Sequence, residues 1–110
     1  MEAVSFPSNL EKIGYGSFWG CNLKDIEIPD GVTEIGGYAF YVCRNLASIK
    51  LPSELISIGE KAFTDCVNLT TLQLPEKLET IGSEAFYSCD MLKELTIPEK
   101  TVVYEIEGPL

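Results

Sequence analysis

Apolar positions recur along this chain with a period of about 23 residues. Four successive segments read PSNLEKIGYGSFWGCNLKDIEI, PDGVTEIGGYAFYVCRNLASIKL, PSELISIGEKAFTDCVNLTTLQL and PEKLETIGSEAFYSCDMLKELTI. The second and third segments are identical at nine of 23 positions, and so are the third and fourth. Their shared frame is P-x-x-L-x-x-I-G-x-x-A-F-x-x-C-x-x-L-x-x-L-x-L, and self-similarity at such a period is the signature of a repeat protein.

A unit of this length cannot bury a core of its own, so the units must stack and bury their apolar positions against one another. Equivalent positions then form columns along a solenoid. The predicted core columns are Leu10, Val32, Leu55 and Leu78; Ile13, Ile35, Ile58 and Ile81; Phe18, Phe40, Phe63 and Phe86; and Leu23, Leu46, Leu69 and Leu92.

The end of each unit predicts a short parallel β-strand, because two apolar residues alternate there with polar ones at period two. These pairs are Ile26/Ile28, Ile49/Leu51, Leu72/Leu74 and Leu95/Ile97. Proline follows each pair and ends the strand, since it has no N–H to donate. A second extended piece precedes the glycine of the frame. We expect that glycine to turn a corner with positive φ at Gly14, Gly36, Gly59 and Gly82.

The segment after the glycine predicts a helical or 3₁₀ turn, because its Phe and Cys are three residues apart. A small residue precedes the Phe, as Ala39 does in the second unit, where this side must lie close to the neighbouring coil. Each coil then closes through a turn that suits the asparagines Asn22, Asn45 and Asn68.

The frame resembles the BspA-like (Treponema-type) leucine-rich repeat, on the residues LPSELISIGEKAFTDCVNLTTLQL and LPEKLETIGSEAFYSCDMLKELTI and across about residues 1–98. The general leucine-rich pattern has Asn or Cys after the strand, whereas this chain has Pro. The resemblance implies an α/β repeat solenoid: a right-handed coil with parallel strands on its concave face, and short strands and 3₁₀ or helical turns elsewhere. It also implies a protein-binding or adhesive module, common on bacterial and protist cell surfaces.

We predict one domain over residues 1–110. It comprises a partial first coil (1–6), four repeats (7–28, 29–51, 52–74 and 75–97) and a C-terminal cap (98–110), in which Val102, Tyr104 and Ile106 share one side of a last strand. The first strand has no cap, so Val4 and Phe6 could pair end to end with another copy. A complete chain would be cytoplasmic; a fragment of a longer protein would come from the cell surface or a secreted protein.

Charge excludes one class of partner. Seventeen acidic residues against eight basic ones give a net charge of −9, without the clustered Lys and Arg that nucleic-acid phosphates require. The longest nearly unbroken apolar run, residues 37–43, is far too short to insert into a membrane, and residues 1–10 have no features of a secretory signal. The acidity leaves open an alternative function as a small inhibitor that occupies the basic groove of a nucleic-acid enzyme.

Candidate chemistry is scarce, so we expect neither catalysis nor a cofactor or metal. The chain has no His, which excludes Ser-His-Asp and Cys-His arrangements. The four cysteines, Cys21, Cys43, Cys66 and Cys89, lack C-x-x-C spacing and share one column. Parallel stacking separates their Cβ atoms by about 4.8 Å, more than a disulfide prefers. We therefore expect buried free thiols.

Two surfaces remain as candidates for binding a protein partner. The first, called the strand face, is formed by outward residues of the predicted strands: Ser5, Asp25, Glu27, Ser48, Lys50, Thr71, Gln73, Glu94 and Thr96. Its alternative is a merely solvated sheet face. The second is an aromatic column after the core Phe: Trp19, Tyr41 and Tyr87, with Tyr15 and Tyr38 nearby. Such rings are typical interface anchors, but the sequence favours the interpretation that they lie flat over the neighbouring coil and cover the core.

Overall fold

The computed structural model describes residues 6–104, which form a stack of coils with every frame position over its equivalent. Its strands are β1 (Lys12–Ile13), β2 (Asp25–Glu27), β3 (Glu34–Ile35), β4 (Ser48–Lys50), β5 (Ser57–Ile58), β6 (Thr80–Ile81) and β7 (Val102–Val103). They form a five-stranded sheet in the order β1-β3-β5-β6-β7 and a two-stranded sheet, β2-β4. All pairs are parallel, as stacked coils of one hand require. We number the coils 1 to 4 after the repeats.

The larger sheet is built by the isoleucine before each corner glycine. Ile13 pairs with Ile35, Ile35 with Ile58, and Ile58 with Ile81. Each of these isoleucines is buried, while the residue before it is more exposed. A β-branched side chain on the inward side of a short strand is well placed to pack against its own kind above and below. The predicted isoleucine column is therefore confirmed.

The phenylalanine column forms the thickest part of the core. Ring centroids lie 5.3 Å apart for Phe18 and Phe40, 5.2 Å for Phe40 and Phe63, and 5.4 Å for Phe63 and Phe86, with interplanar angles of 8°, 6° and 6°. Spacings above 5 Å between near-parallel rings are those of offset stacks. Phe6 meets Phe18 edge to face at 5.9 Å. The large side chains thus fix the distance between coils.

The segment between Gly and Cys is a chain of turns and not the predicted 3₁₀ or helical turn; residues 6–104 contain no helix. The amides in coil 1 alternate between two kinds of acceptor. Trp19 N–H donates to the carbonyl of Gly16, three residues back, whereas Phe18 N–H donates to the carbonyl of Ala39 in the next coil. A helix would use every amide within its own coil. The α component of the predicted α/β class is therefore wrong for the described residues.

Left-handed residues make this alternation possible. Positive φ occurs two and six residues after the corner glycine in every coil, as in a turn whose third residue is left-handed. These residues are Gly16, Tyr38, Lys61 and Glu84 at the first position, and Gly20, Val42, Asp65 and Ser88 at the second, with φ between 53° and 69°.

The corner glycines do not have positive φ, so that prediction is wrong. They are needed for space instead. A Cβ on Gly36 would lie 2.8 Å from the backbone nitrogen of Tyr15, and a Cβ on Gly59 or Gly82 would meet the backbone of the preceding coil more closely still. Successive coils therefore touch backbone to backbone at this corner, which only glycine permits.

The strand ladder at the end of the units is shorter than predicted. β2 and β4 pair over three residues, and one isolated bridge joins Ser48 to Thr71. Residues 71–74 and 94–97 form neither a ladder nor a strand. The main continuous sheet is instead the one formed at the isoleucine column.

The last strand continues the solenoid. β7 pairs with β6, and the Thr101 hydroxyl donates to the carbonyl of Leu78 at 2.7 Å. Val103 packs against the core, whereas Val102 and Tyr104 are exposed. The side that the sequence assigned to Val102 and Tyr104 is thus the outer one. Ile106 and the first-strand residue Val4 lie outside the described residues.

Candidate functional site

The turn segments place aromatic side chains on the outside of the solenoid. In each segment the Phe points into the core. The residue after the Phe lies on the outer side except in coil 3, where Thr64 is buried, and in coil 2 the residue two before the Phe lies there as well. In coils 1 and 2 these positions, with the one after Gly14, hold four aromatic residues. We call Tyr15, Trp19, Tyr38 and Tyr41 the aromatic cluster.

The four rings of the aromatic cluster touch one another across two coils. Trp19 stacks on Tyr38 with a centroid distance of 5.1 Å and an interplanar angle of 12°. Trp19 also meets Tyr41 edge to face at 4.7 Å. Tyr38 lies 4.9 Å from Tyr41 and 5.2 Å from Tyr15. The structure thus brings together four of the five predicted aromatic residues.

Two rings of the aromatic cluster cover the neighbouring coil, and the other two are exposed to solvent. Tyr38 and Tyr41 are half-buried and cover the neighbouring coil, which is the arrangement that the sequence favoured for these rings. Trp19 is 51% exposed and Tyr15 is 71% exposed. Because Tyr38 stacks against one face of the indole, a ligand would have to meet Trp19 at its other face or its edge. The outer two rings therefore present a large amphipathic surface to solvent.

Tyr87 is separated from the cluster. Coil 3 has Thr64 at the equivalent position, and Thr64 is buried and donates its hydroxyl to the carbonyl of Glu84 at 2.7 Å. The aromatic column is interrupted there. Tyr87 is 41% exposed, and no ring contact to it occurs within residues 6–104.

A lysine lies against the cluster, and the sequence reasoning missed it. Lys61 Nζ lies over the Tyr38 ring, 5.7 Å from its centroid, within the range of a cation–π contact. The same Nζ lies 3.6 Å from Glu84 Oε1. Tyr38, Lys61 and Glu84 occupy the same left-handed position in successive coils. That shared frame position is the signal from which the contact could have been predicted.

The strand face differs between its two halves. In coils 1 and 2 its side chains pair with one another: the Ser48 hydroxyl donates to Asp25 at 2.6 Å, and Lys50 lies 3.8 Å from Glu27. This half is a polar surface whose groups already have partners. Ser5 lies outside the described residues.

In coils 3 and 4 the strand face opens into a cleft of about 630 Å³, lined among others by Thr71, Gln73, Glu94 and Thr96. Thr70 N–H still donates to Ala47, but no backbone hydrogen bond joins residues 70–74 to residues 93–97. On the opposite side, Phe63 N–H donates to the carbonyl of Ala85 at 2.8 Å. The two coils are thus held together at the turns and separated at the strand face.

The cysteines are free thiols, and all but Cys21 are buried. Each buried thiol donates to a phenylalanine carbonyl one coil before it, as Cys43 does to Phe18 at 3.0 Å. Burial is the main cause that raises the pKa of the Cys43 thiol to about 11 and that of Cys89 to about 12, and it raises the pKa of Cys66 as well. Such thiols are protonated at neutral pH and suit a packing function better than a reactive one.

Residues 6–104 have neither a metal-binding cluster nor a membrane-spanning helix. No group of three or more Cys, Asp or Glu side chains there is arranged to hold a metal ion. No helix in the same part of the chain has the length and apolarity needed to cross a membrane.

Solved structures of similar sequence share this fold. A T. pallidum leucine-rich repeat protein is 32% identical to this chain, with a TM-score of 0.86. The matched region covers 90% of this chain and 49% of that protein. A leucine-rich repeat protein from Bacteroides ovatus is 42% identical with a TM-score of 0.82, covering 87% of this chain and 25% of its own. A leucine-rich cell surface protein from Faecalibacterium prausnitzii is 32% identical, with a TM-score of 0.69. The matched region covers 76% of this chain and 22% of that protein.

This chain thus spans about half of the first of these proteins and a quarter of the second. None of the curated proteins compared with it matches. The family model described as a BspA type leucine-rich repeat region matches residues 1–107 in six copies. With the stacked columns, the parallel strands and these structural relatives, that match shows that the chain belongs to the BspA-type leucine-rich repeat family.

Proposed function

We propose that this chain is a non-catalytic protein-binding module of the adhesion type, and that the aromatic cluster is its binding surface. The observation that carries the proposal is the exposure of Trp19 and Tyr15 on rings already packed against Tyr38 and Tyr41. Exposed aromatic rings with restricted motion gain contact area on binding and lose little conformational entropy. A repeat family that serves protein interactions fits this surface.

The strand face is the second candidate surface. Its first half has its charges and hydroxyls paired between coils, so a partner would have to replace existing contacts. Its second half, the cleft between coils 3 and 4, is lined mainly by Thr, Gln and Glu side chains. Neither half has an exposed aromatic anchor, which supports the aromatic cluster as the principal site.

The acidic-inhibitor alternative is less well supported. Four lysines pair with glutamates in neighbouring coils, which divides the negative charge into small patches. These pairs are Lys12–Glu34, Lys50–Glu27, Lys61–Glu84 and Lys77–Glu54. A mimic of nucleic acid needs a continuous row of negative charge.

Location at a cell surface is a proposal taken from one relative, the F. prausnitzii cell surface protein. On that basis the partner belongs to the environment outside the cell, and candidate proteins for binding experiments are best drawn from secreted and surface fractions.

Site-specific photo-crosslinking tests which face binds. A benzophenone amino acid is introduced separately at Tyr15 in the cluster, at Tyr87 on the same side, and at Gln73 in the strand-face cleft. We expect the Tyr15 position to crosslink a protein that the Tyr87 position does not, since Tyr15 is in coil 1 and Tyr87 is in coil 4. Crosslinking of the same protein from Gln73 but not from Tyr15 would contradict the proposal.

A further inference from the structure

We propose that the aromatic cluster binds a basic segment of its partner by stacking an arginine side chain on the exposed surface of Trp19 and Tyr15. This inference rests on the proposed function and names the chemistry of the partner. Its evidence is an intramolecular cation–π contact, the arrangement of the rings, and the charge of the chain.

The cluster already accepts one cation from its own chain. Lys61 Nζ lies 5.7 Å from the centroid of Tyr38 and is held there by Glu84 at 3.6 Å. The faces of these rings carry the negative part of the aromatic quadrupole. What Lys61 does at the half-buried Tyr38, a cation from a partner can do at the exposed Trp19, whose indole is the strongest cation–π acceptor among the side chains.

The arrangement of the rings favours a flat cation. Trp19 is stacked at 12° on Tyr38 and wedged edge to face against Tyr41, so its plane is fixed before a ligand arrives. A guanidinium is planar, weakly hydrated and able to stack on such a plane, whereas an ammonium is compact and strongly hydrated. The geometry therefore selects arginine over lysine.

The negative charge of the chain also favours a basic partner. The net charge is −9, and the one lysine against the cluster is neutralised by Glu84. The backbone N–H of Tyr38 donates to the backbone carbonyl of Glu60, so the residue facing Tyr38 in the following coil is also acidic. A basic segment would be attracted to the chain at long range and an acidic one repelled.

Trp19 is the only tryptophan in the chain, so fluorescence excited selectively at tryptophan reports on the cluster alone. The probes are octa-arginine, octa-lysine, octa-glutamate and a neutral chito-oligosaccharide, none of which contains an aromatic ring. We expect a saturable change of Trp19 emission with octa-arginine, binding at least threefold weaker with octa-lysine, and no change with the other two.

Variants separate the cluster from general electrostatic attraction. Dye-labelled octa-arginine is titrated by anisotropy into the wild type, Trp19→Ala, Tyr15→Ala and the matched control Tyr87→Ala. We expect Trp19→Ala to weaken binding at least about fivefold, Tyr15→Ala to weaken it less, and Tyr87→Ala to leave it unchanged. Native circular dichroism of each variant verifies folding.

Three results would overturn the inference: equal binding of octa-arginine and octa-lysine, unchanged affinity in Trp19→Ala, or saturation of the Trp19 signal by the oligosaccharide instead. Its failure is distinguishable from failure of the proposed function. If crosslinking from Tyr15 captures a protein while octa-arginine does not bind, the function stands and only the arginine chemistry is lost.

Discussion

Left-handed residues are the least expected feature at the residue scale, because six of the eight in the turn segments are not glycine. An L-residue in this conformation costs about 1 kcal/mol relative to glycine. In coil 1 the two positions are Gly16 and Gly20, so one unit of the sequence already displays the preferred residues. In coils 2 and 3 the same residues donate inter-coil hydrogen bonds that hold the backbone in place, as Val42 N–H does to the carbonyl of Thr64; Ser88 in coil 4 makes no such bond within the described residues.

Ser88 allows this cost to be measured, since its φ is 61°. We predict that Ser88→Gly is more stable than Ser88→Ala by about 1 kcal/mol in urea unfolding. The sign is diagnostic, because at an ordinary position glycine is less stable than alanine by about 0.5–1 kcal/mol. Greater stability of the alanine variant would show that residue 88 is not left-handed.

The buried thiols make the free energy of unfolding depend on pH. The pKa of Cys43 is raised from 9.0 to about 11, so the folded state holds its proton where the unfolded state has lost it. This contribution to the free energy of unfolding is complete below pH 9 and is lost as pH rises towards 11. We predict a fall in stability between pH 8 and pH 10.5 that is smaller in Cys43→Ala. Identical pH profiles would contradict burial of this thiol.

Close contact between the coils at the corner glycine is the central feature at the element scale. We predict that Gly59→Ala destabilises the fold by about 3 kcal/mol, because its Cβ would lie 2.7 Å from the carbonyl carbon of Gly36. Gly20→Ala is the control: its Cβ would meet nothing within 4 Å, so only the cost of positive φ, about 1 kcal/mol, applies. Equal losses measured by urea unfolding would refute the steric explanation.

Opening of the strand face is a second feature of the elements, and hydrogen exchange tests it. The amides of Ala47 and Thr70 donate to the preceding coil, while that of their equivalent Lys93 has no such bond. We predict that the amide of Lys93 exchanges at least tenfold faster than the other two in the native protein. Comparable protection at all three would mean that the cleft between coils 3 and 4 is closed in solution.

The sequence predicted the columns because each depends only on the repeat: once the units stack, like residues must meet. It did not distinguish a helix from successive turns, since both place Phe18 and Cys21 on one side of the chain. The cleft was beyond sequence reasoning because the separation of two coils depends on packing over the whole unit. Of the candidate site, the aromatic residues and the Thr64 that interrupts their column could be read from the sequence. The burial of Thr64 and the contacts among the four rings of the cluster could not, because they depend on how the coils pack.

At the scale of the whole molecule, the fold is a short stack of coils with extents of 34 × 26 × 21 Å. End-to-end self-association was an alternative function. The proposed function predicts instead that light scattering gives the mass of one chain, 12.1 kDa, at every concentration. A mass that rises with concentration, and does so equally in Trp19→Ala, would favour association through the ends.

The outer rings of the aromatic cluster, Tyr15 and Trp19, form the surface that the proposed function assigns to the partner. The most direct test is the affinity of the purified partner identified by crosslinking for the double variant Tyr15→Ala/Trp19→Ala, relative to Tyr87→Ala. We predict a loss of at least about thirtyfold for the double variant and none for the control, with both variants folded. Equal affinity of the two variants would contradict the claim.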